Sequence, residues 1–219
     1  MLGVVNYDAG NLKSVETALS ALAVSSKPKG FEEDFIISGE PEVLSKADKL
    51  VFPGVGEAAQ AMKRLKQAGL DNMIRDFALS GKPLLGICLG AQILFEYSHE
   101  SDTPCLGILP GEVRHFPKES GLKIPHMGWN TLDYKEHPVH PLFQGIPRGQ
   151  SFYFVHSYYM EAALEVNVIG YSDYGIKFAA AVAQGNVTGL QFHPEKSGPW
   201  GLKILENFLK LDSSAGEGK

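Results

Sequence analysis

The stretch Lys82-Pro-Leu-Leu-Gly-Ile-Cys-Leu-Gly-Ala-Gln-Ile-Leu-Phe-Glu96 decides the fold of this chain. Its apolar run Leu84–Ile87 is typical of a buried strand. The segment Ala91–Tyr97 is rich in good helix formers and predicts a helix. Cys88 lies between the two, with a glycine two residues before it and another two residues after it. A strand that turns sharply into a helix at a nucleophile needs small neighbours, because larger side chains would clash in the turn.

Cys88 by itself allows two interpretations. A free cysteine in an apolar run is usually a small buried hydrophobe. At the start of a helix, however, the backbone N–H groups favour the thiolate and can hold an oxyanion. The later stretch Gly-Leu-Gln-Phe-His193-Pro-Glu195 favours the second interpretation. A nucleophilic cysteine needs a base, and the base needs an orienting group, so Cys88, His193 and Glu195 are predicted to form a triad.

The first half of the chain alternates between strand-like and helix-like segments, which predicts an α/β fold with an open, largely parallel sheet flanked by helices. The strands are predicted at 2–6, 35–38, 49–52 and 84–87, and the helices at 12–22, 41–47 and 57–79, the last with a break at Gly69. Sites in such sheets form at the carboxyl ends of the strands. Cys88 and the segment Pro53-Gly-Val-Gly56 both follow predicted strands and are therefore expected to be neighbours.

The pattern changes after Tyr97. Short β-like runs separated by proline and glycine fill 106–159, which predicts an antiparallel β extension in the second half. The last strands are predicted at 165–171, 179–183 and 187–192, and a closing helix at 201–211. Residues 1–211 are thus predicted to form a single domain, with 212–219 as a flexible tail.

Composition excludes several classes of function. The 219 residues carry a net charge of −5 without a basic run, so no nucleic-acid partner is expected. No apolar run is long enough to span a bilayer, and two cysteines, Cys88 and Cys105, do not make a disulfide framework. A cytoplasmic enzyme without a membrane partner is predicted. His137 and His140 flank a proline but lack the further ligands of a metal site, so no metal and no cofactor are expected.

Gly86-Ile-Cys-Leu-Gly90 together with His193-Pro-Glu195 resembles the class I (triad) glutamine amidotransferases, over nearly the whole chain. Within that family, four motifs resemble the glutaminase subunits of histidine biosynthesis. They are Asn6-Tyr-Asp-Ala-Gly-Asn11, Pro53-Gly-Val-Gly56, Pro125-His-Met-Gly-Trp-Asn130 and His193-Pro-Glu-Lys-Ser197. The chain departs from the family's Cys-Leu-Gly-Met-Gln in having Ala91, which shortens the side chain beneath the elbow.

The resemblance implies the roles of several residues around Cys88. Gly54, Val55 and Gly56 would form the oxyanion strand, with the Val55 or Gly56 amide and the Leu89 amide as donors. The residues implied to bind substrate glutamine are Gln92 and, through their backbone, Ser157 and Tyr158. Because Gln92 and Glu96 follow Cys88 at intervals of four, all three are expected on one helix face, with Glu96 as a solvated residue.

The resemblance also implies two partners: L-glutamine as substrate, and a (β/α)8-barrel cyclase subunit that takes up the ammonia in a heterodimer. The residues implied to contact this subunit are Tyr7, Asn11, His126, Met127, Gly128, Trp129, Asn130 and Lys196. Their residue types alone fit an ordinary surface loop equally well.

Three alternatives remain open from the sequence. The first is a glutaminase of another biosynthetic pathway. The second is a stand-alone γ-glutamyl hydrolase or cysteine peptidase built on the same elbow. The third is a non-catalytic interaction subunit. Alkylation of Cys88 by a glutamine-like electrophile would separate an enzyme from a binding module. Dependence on a partner would separate an amidotransferase from a hydrolase.

Overall fold

The structure, a computed structural model, describes residues 1–8, 12–25, 35–117, 121–134 and 138–212. The strands are β1 Leu2–Val5, β2 Phe35–Ser38, β3 Lys49–Gly54, β4 Leu84–Cys88, β5 Phe95–Ser98, β6 Thr103–Pro104, β7 Leu109–His115, β8 His126–Thr131, β9 Asp133–Tyr134, β10 Ser151–His156, β11 Tyr158–Ala162, β12 Val168–Asp173, β13 Lys177–Gln184 and β14 Val187–Leu190. The helices are α1 Leu12–Ser25, α2 Pro41–Leu44, α3 Ala58–Gln67, α4 Leu70–Leu79, α5 Leu89–Gln92 and α6 Gly198–Leu209.

The main sheet has the strand order β2-β1-β3-β4-β14-β13-β11-β7-β5-β6. The first five strands in this order, from β2 to β14, are parallel to one another. Beyond β14 the pairing is antiparallel, except for the parallel pair of β5 and β7. Strands β8 and β10 form a separate antiparallel ribbon. This topology confirms the predicted α/β fold with a largely parallel sheet and an antiparallel extension.

Strand β4 lies between β3 and β14 in the parallel part, and helices cover both of its faces. Leu84 packs in one hydrophobic cluster with residues of α3 and α4, such as Leu65 and Phe77. Leu85 points to the other face and packs with residues of α1 and α6. A strand buried on both faces is apolar at every position, which explains the unbroken run of the sequence. Each fully buried leucine contributes roughly 2 kcal/mol.

The helix break predicted at Gly69 is confirmed, because this residue has a φ of 69° between α3 and α4. The predicted tail lies outside the described residues from 213 onward. Within the described ranges, no helix is long and apolar enough to cross a membrane.

The helix predicted over Ala91–Tyr97 is wrong. Helix α5 ends at Gln92 after one turn, and Phe95–Ser98 is strand β5 instead. Ile93, Leu94 and Phe95 are all fully buried, which a helix with a solvated face cannot achieve. Burial and pairing with β7 therefore override helix propensity.

Glu96 consequently does not share a helix face with Cys88 and Gln92. It is exposed on β5, where one carboxylate oxygen accepts a hydrogen bond from the Gly111 N–H at 2.9 Å. The expectation of a solvated Glu96 holds, although the element that carries it is a strand.

Candidate active site

Cys88 occupies a strained turn between β4 and α5. Its φ of 54° and ψ of −113° are unusual for a residue other than glycine. The glycines around it are needed for close packing. A Cβ on Gly90 would lie 1.9 Å from the Phe52 carbonyl oxygen of β3, and a Cβ on Gly86 would lie 2.8 Å from the Ala91 Cα. The turn therefore holds the Cys88 sulfur at the carboxyl end of a central strand.

The two neighbours of β4 bring other predicted site residues to the same edge of the sheet. On one side, Gly54 of β3 pairs in register with Cys88. On the other side, Leu190 of β14 pairs with Ile87, and the chain then runs directly into His193. Because all three strands are parallel, their carboxyl ends meet at one edge.

His193 and Glu195 form a buried ion pair beside this edge. The His193 Nδ1 lies 2.8 Å from the Glu195 Oε1, and the two side chains are 1% and 0% exposed. A hydrogen bond from the Nδ1–H to the carboxylate leaves Nε2 free to act as a base when the ring is neutral. The His193 Nε2 is buried and has no hydrogen-bond partner among the residues that the structure describes.

The charges around His193 favour its protonated form. Burial alone lowers the pKa of the imidazole, but the Cys88 sulfur and the Glu195 carboxylate together raise it well above its usual value. The Cys88 Sγ lies 3.9 Å from the Val155 carbonyl oxygen and 3.9 Å from the Gln191 amide nitrogen. The thiolate is the reactive form of cysteine, so the chemistry needs a base that can take the Cys88 proton.

A cavity of about 300 Å³ opens onto the Cys88 sulfur. It is lined by Val55, Gly56, Cys88, Leu89, Gln92, Glu100, Pro125, Val155, His156, Ser157 and Tyr158. The structure thus brings the predicted oxyanion and substrate-binding residues together around the thiol. Gly54 lies next to this group, at the end of β3, where a Cβ would meet the Gly90 nitrogen at 2.7 Å.

A family model described as glutamine amidotransferase class-I matches residues 4–211. The chain belongs to this family. Two relatives named imidazole glycerol phosphate synthase subunit HisH are 46% and 48% identical in sequence to this chain. The first, from Dehalococcoides mccartyi, is matched over 96% of this chain and 97% of its own length. The second, from Desulfitobacterium hafniense, is matched over 96% and 94%.

Solved structures share the fold of this class-I glutamine amidotransferase at low sequence identity. A crystal structure of a glutamine amidotransferase superposes with a TM-score of 0.68 at 21% identity, covering 95% of this chain and 97% of that one. PurLQS from Thermotoga maritima gives a TM-score of 0.67 at 22% identity, with 95% and 96% covered. At these identities the likeness shows the fold alone.

Gln92 of this amidotransferase is held by the protein on its amide nitrogen. This nitrogen donates to the Tyr158 carbonyl oxygen at 2.8 Å and to the Gln191 Oε1 at 3.1 Å. Both of its N–H groups are therefore used within the protein. Gln92 therefore has a structural role in the cavity wall, in addition to the contact with substrate that the resemblance implies.

Glu100 is the residue that sequence reasoning missed. It lies 12 positions after Cys88 in a polar stretch, and it is the one carboxyl group among the described residues that line the cavity. One of its oxygens accepts the Ala58 N–H at 2.8 Å. Burial raises the pKa of this carboxyl, opposed by the hydrogen bond from Ala58. No local pattern in the sequence indicated this position, because the turn after β5 brings Glu100 to the cavity.

The residues expected to contact a partner are not all on the surface. Tyr7 and His126 are 5% and 3% exposed, so their side chains are enclosed within this chain, and their contact with a partner stays a prediction. Met127 and Trp129 are 62% and 60% exposed and project outward from β8. Lys196 is exposed as well, whereas Asn130 and Gly128 are partly buried. Asn11 lies outside the described residues.

The Tyr7 side chain packs against the end of β3, next to Gly54. Its ring packs against Phe52, and its hydroxyl lies where a Cβ on Gly54 would come within 2.5 Å. Glycine at position 54 is therefore needed for this close approach. Burial raises the pKa of the Tyr7 phenol, so the group stays neutral.

Across the ranges that the structure describes, no three His, Cys, Asp or Glu side chains are grouped so as to hold a metal ion. His137, one of the two histidines considered for a metal site, falls outside those ranges. His140 is used structurally, because its Nδ1 accepts the Leu142 N–H at 3.4 Å.

Proposed function

We propose that this chain hydrolyses glutamine to glutamate and ammonia, as the glutaminase subunit of an imidazole glycerol phosphate synthase in histidine biosynthesis. The observation that carries the proposal is the cavity that opens onto Cys88 and is lined by Val55, Gly56 and Leu89, together with the buried His193–Glu195 pair. The pathway rests on the relatives named as subunits of that synthase, which match this chain over nearly its full length.

The chemistry starts at the Cys88–His193 pair. His193 takes the thiol proton, and the Cys88 sulfur attacks the side-chain amide carbon of glutamine. The resulting oxyanion is held by the backbone N–H groups of Leu89 and of Val55 or Gly56. The C–N bond then breaks, and the imidazolium gives its proton to the departing ammonia. A water molecule, deprotonated by His193, hydrolyses the thioester and releases glutamate.

The polar groups of the cavity fit the two charged ends of a free amino acid. The Glu100 carboxylate faces the cavity and would pair with the α-ammonium group of glutamine. Ser157 and Tyr158 also line the cavity, and their backbone would contact the main-chain groups. Burial has removed part of the water around the Glu100 carboxylate. A cation that binds there would stabilise the carboxylate in place of that water.

Glu100→Gln is expected to raise KM for glutamine about tenfold or more while changing kcat little, because a charge-assisted contact is worth roughly 1.5–3 kcal/mol. The amide retains an oxygen that can accept the Ala58 N–H, so the variant removes only the charge. Steady-state glutaminase kinetics measure the effect. Glu96→Gln is the matched control, since this carboxylate also accepts a backbone N–H but lies outside the cavity. An unchanged KM in Glu100→Gln would remove Glu100 from the substrate site.

The ammonia requires a protected route. Free ammonia becomes unreactive ammonium at neutral pH, so the subunit that consumes it must dock onto this chain. By resemblance that subunit is a (β/α)8-barrel cyclase in a cytoplasmic heterodimer, which forms imidazole glycerol phosphate and an aminoimidazole carboxamide ribonucleotide. The exposed side chains of Met127, Trp129 and Lys196 are proposed as contacts with it. Two large apolar side chains exposed on one short strand are typical of an interaction surface.

Glutamate release from glutamine tests the proposal, measured for this chain alone and then with the cyclase subunit and its nucleotide ligand. We expect little release by the chain alone and a large rise with the liganded cyclase. Strong release that the cyclase leaves unchanged would instead indicate a stand-alone hydrolase or another pathway. Absence of release under both conditions would favour a non-catalytic interaction subunit.

A further inference from the structure

Two buried histidines connect strand β8 to the wall of the cavity. His126 and His156 face each other in register on β8 and β10, and each is at most 6% exposed. The His126 Nδ1 lies 2.9 Å from the His156 Nε2. The His156 Nδ1 in turn lies 2.8 Å from the Tyr158 carbonyl oxygen. Among these residues His156 and Tyr158 line the cavity, whereas His126 does not.

One arrangement of protons satisfies this chain of groups. The Tyr158 carbonyl can only accept, so the His156 Nδ1 must carry a hydrogen. Burial lowers the pKa of His126 to about 4 and that of His156 to about 3, so both rings are neutral at pH 7. The His156 Nε2 is then an acceptor, and His126 must donate to it through Nδ1. Both histidines are therefore neutral Nδ1–H tautomers.

The outer end of the chain agrees with this direction. The Asn130 Oδ1 accepts the Thr131 N–H at 2.8 Å, which orients the amide. The amide nitrogen of Asn130 then donates to the Asp173 carbonyl oxygen at 2.8 Å and lies 3.3 Å from the His126 Nε2. That ring nitrogen is an acceptor, as the tautomer requires.

The inner end reaches the catalytic sulfur. The Tyr158 carbonyl oxygen also accepts a hydrogen bond from the Gln92 amide nitrogen. The same nitrogen donates to the Gln191 Oε1, and the Gln191 amide nitrogen lies beside the Cys88 sulfur. A shift of this carbonyl would therefore alter the wall that receives glutamine and the groups that position Gln92.

We infer that His126 is a positioning residue, which acts through His156 to fix the Tyr158 carbonyl at the glutamine site. The inference rests on the proposed glutaminase function. His126 itself touches neither the cavity nor the sulfur, and its ring is stacked between Phe154 and Tyr174, with centroids 4.9 and 4.1 Å away. Packing thus fixes the plane of the ring, and the Asn130 amide at Nε2 leaves Nδ1 facing His156.

His126→Phe tests this role, because it keeps an aromatic ring in the stack and removes the donor. We expect KM for glutamine to rise roughly tenfold, since a buried acceptor is left without a partner, while kcat changes less than about threefold. His126→Asn should restore KM towards the wild-type value, because its amide nitrogen is as many bonds from Cα as the imidazole Nδ1. A residue that merely stabilised the fold would lower the active fraction, and hence kcat, without this change in KM.

His140→Phe is the matched control, since it also removes a ring nitrogen that accepts a hydrogen bond but lies outside the chain of groups. We expect its KM to equal that of the wild type. In the wild-type protein, ¹⁵N-edited NMR of the imidazoles should show both His126 and His156 as Nδ1–H tautomers at pH 7.

Three results would overturn the inference. They are an unchanged KM in His126→Phe, an equal rise in KM in His126→Phe and His126→Asn, or an Nε2–H tautomer in either ring. A wild-type chain that releases no glutamate, alone or with the cyclase, would overturn the proposed function itself. The two failures are distinguishable, because the first concerns variants of an active enzyme.

Discussion

Cys88→Ala is expected to abolish glutamate release, lowering kcat by at least about 10³-fold. The sulfur is the one group at the elbow that can form the thioester, and alanine cannot replace it. The substitution removes a single small buried atom, so the melting temperature should change by only a few degrees, about what 1 kcal/mol produces in a chain of this size. Glutamate formation measures the loss, and thermal unfolding shows that the variant is folded.

Cys105 supplies the matched control for this prediction. It is buried to the same degree as Cys88, at 8% and 6% exposed, but it lies outside the cavity lining. Burial raises the pKa of its thiol to about 12, so it stays protonated and unreactive. We expect Cys105→Ala to retain wild-type kcat, and a glutamine-like electrophile to modify Cys88 alone in peptide mass spectra. A Cys88→Ala variant that still releases glutamate at the wild-type rate would exclude Cys88 as the nucleophile.

Glu195→Gln is expected to lower kcat by on the order of 10³-fold and to move the alkaline limb of the pH profile to lower pH. The Glu195 carboxylate helps to raise the pKa of His193, and a neutral amide removes that contribution. The imidazolium then loses its proton at a lower pH. The amide can also donate to Nδ1 in place of accepting from it, which would leave the wrong ring nitrogen protonated. The pH dependence of kcat/KM measures both consequences.

The His99–Glu112 pair offers a control of the same chemistry on the surface. The His99 Nε2 lies 2.6 Å from a Glu112 oxygen, and both side chains are substantially exposed. Glu112→Gln should therefore leave kcat and the pH profile of the glutaminase unchanged. If Glu195→Gln behaved like Glu112→Gln, the buried pair would have no part in orienting His193.

The elements that were predicted correctly are those recorded in the residue types of a short stretch of sequence. The β4 run is apolar because the strand is covered on both faces, and the same alternation of strand and helix that fills residues 1–88 produces the parallel sheet. The glycines beside Cys88 were expected from the crowding of a sharp turn, and the structure shows the backbone atoms that crowd it. The turn depends on neighbours in sequence and on one adjacent strand, whereas the apolar run records that helices cover the strand on both faces.

The errors and omissions arose where distant segments meet. The 91–97 helix failed because Ile93, Leu94 and Phe95 are enclosed by tertiary contacts that no propensity records. Ala91 gives a shorter side chain beneath the elbow than the methionine of the family pattern. The structure places it against Gly86 and Gly189, where a Cβ on Gly189 would already come within 3.1 Å of it. Because Ala91 already packs closely against these two glycines, a longer side chain at position 91 would have little room.

The sequence by itself determined the fold class and the elbow, because each depends on short-range spacing or on the period of apolar residues, and it predicted Cys88, His193 and Glu195 as a triad. Only the tertiary structure decided that Glu100 lines the cavity at Cys88, that Tyr7 and His126 are buried, and that His126 is linked to the Tyr158 carbonyl through His156. These residues come from separate strands and turns, and their chemistry depends on which neighbours packing gives them. Position along the chain carries no record of that packing.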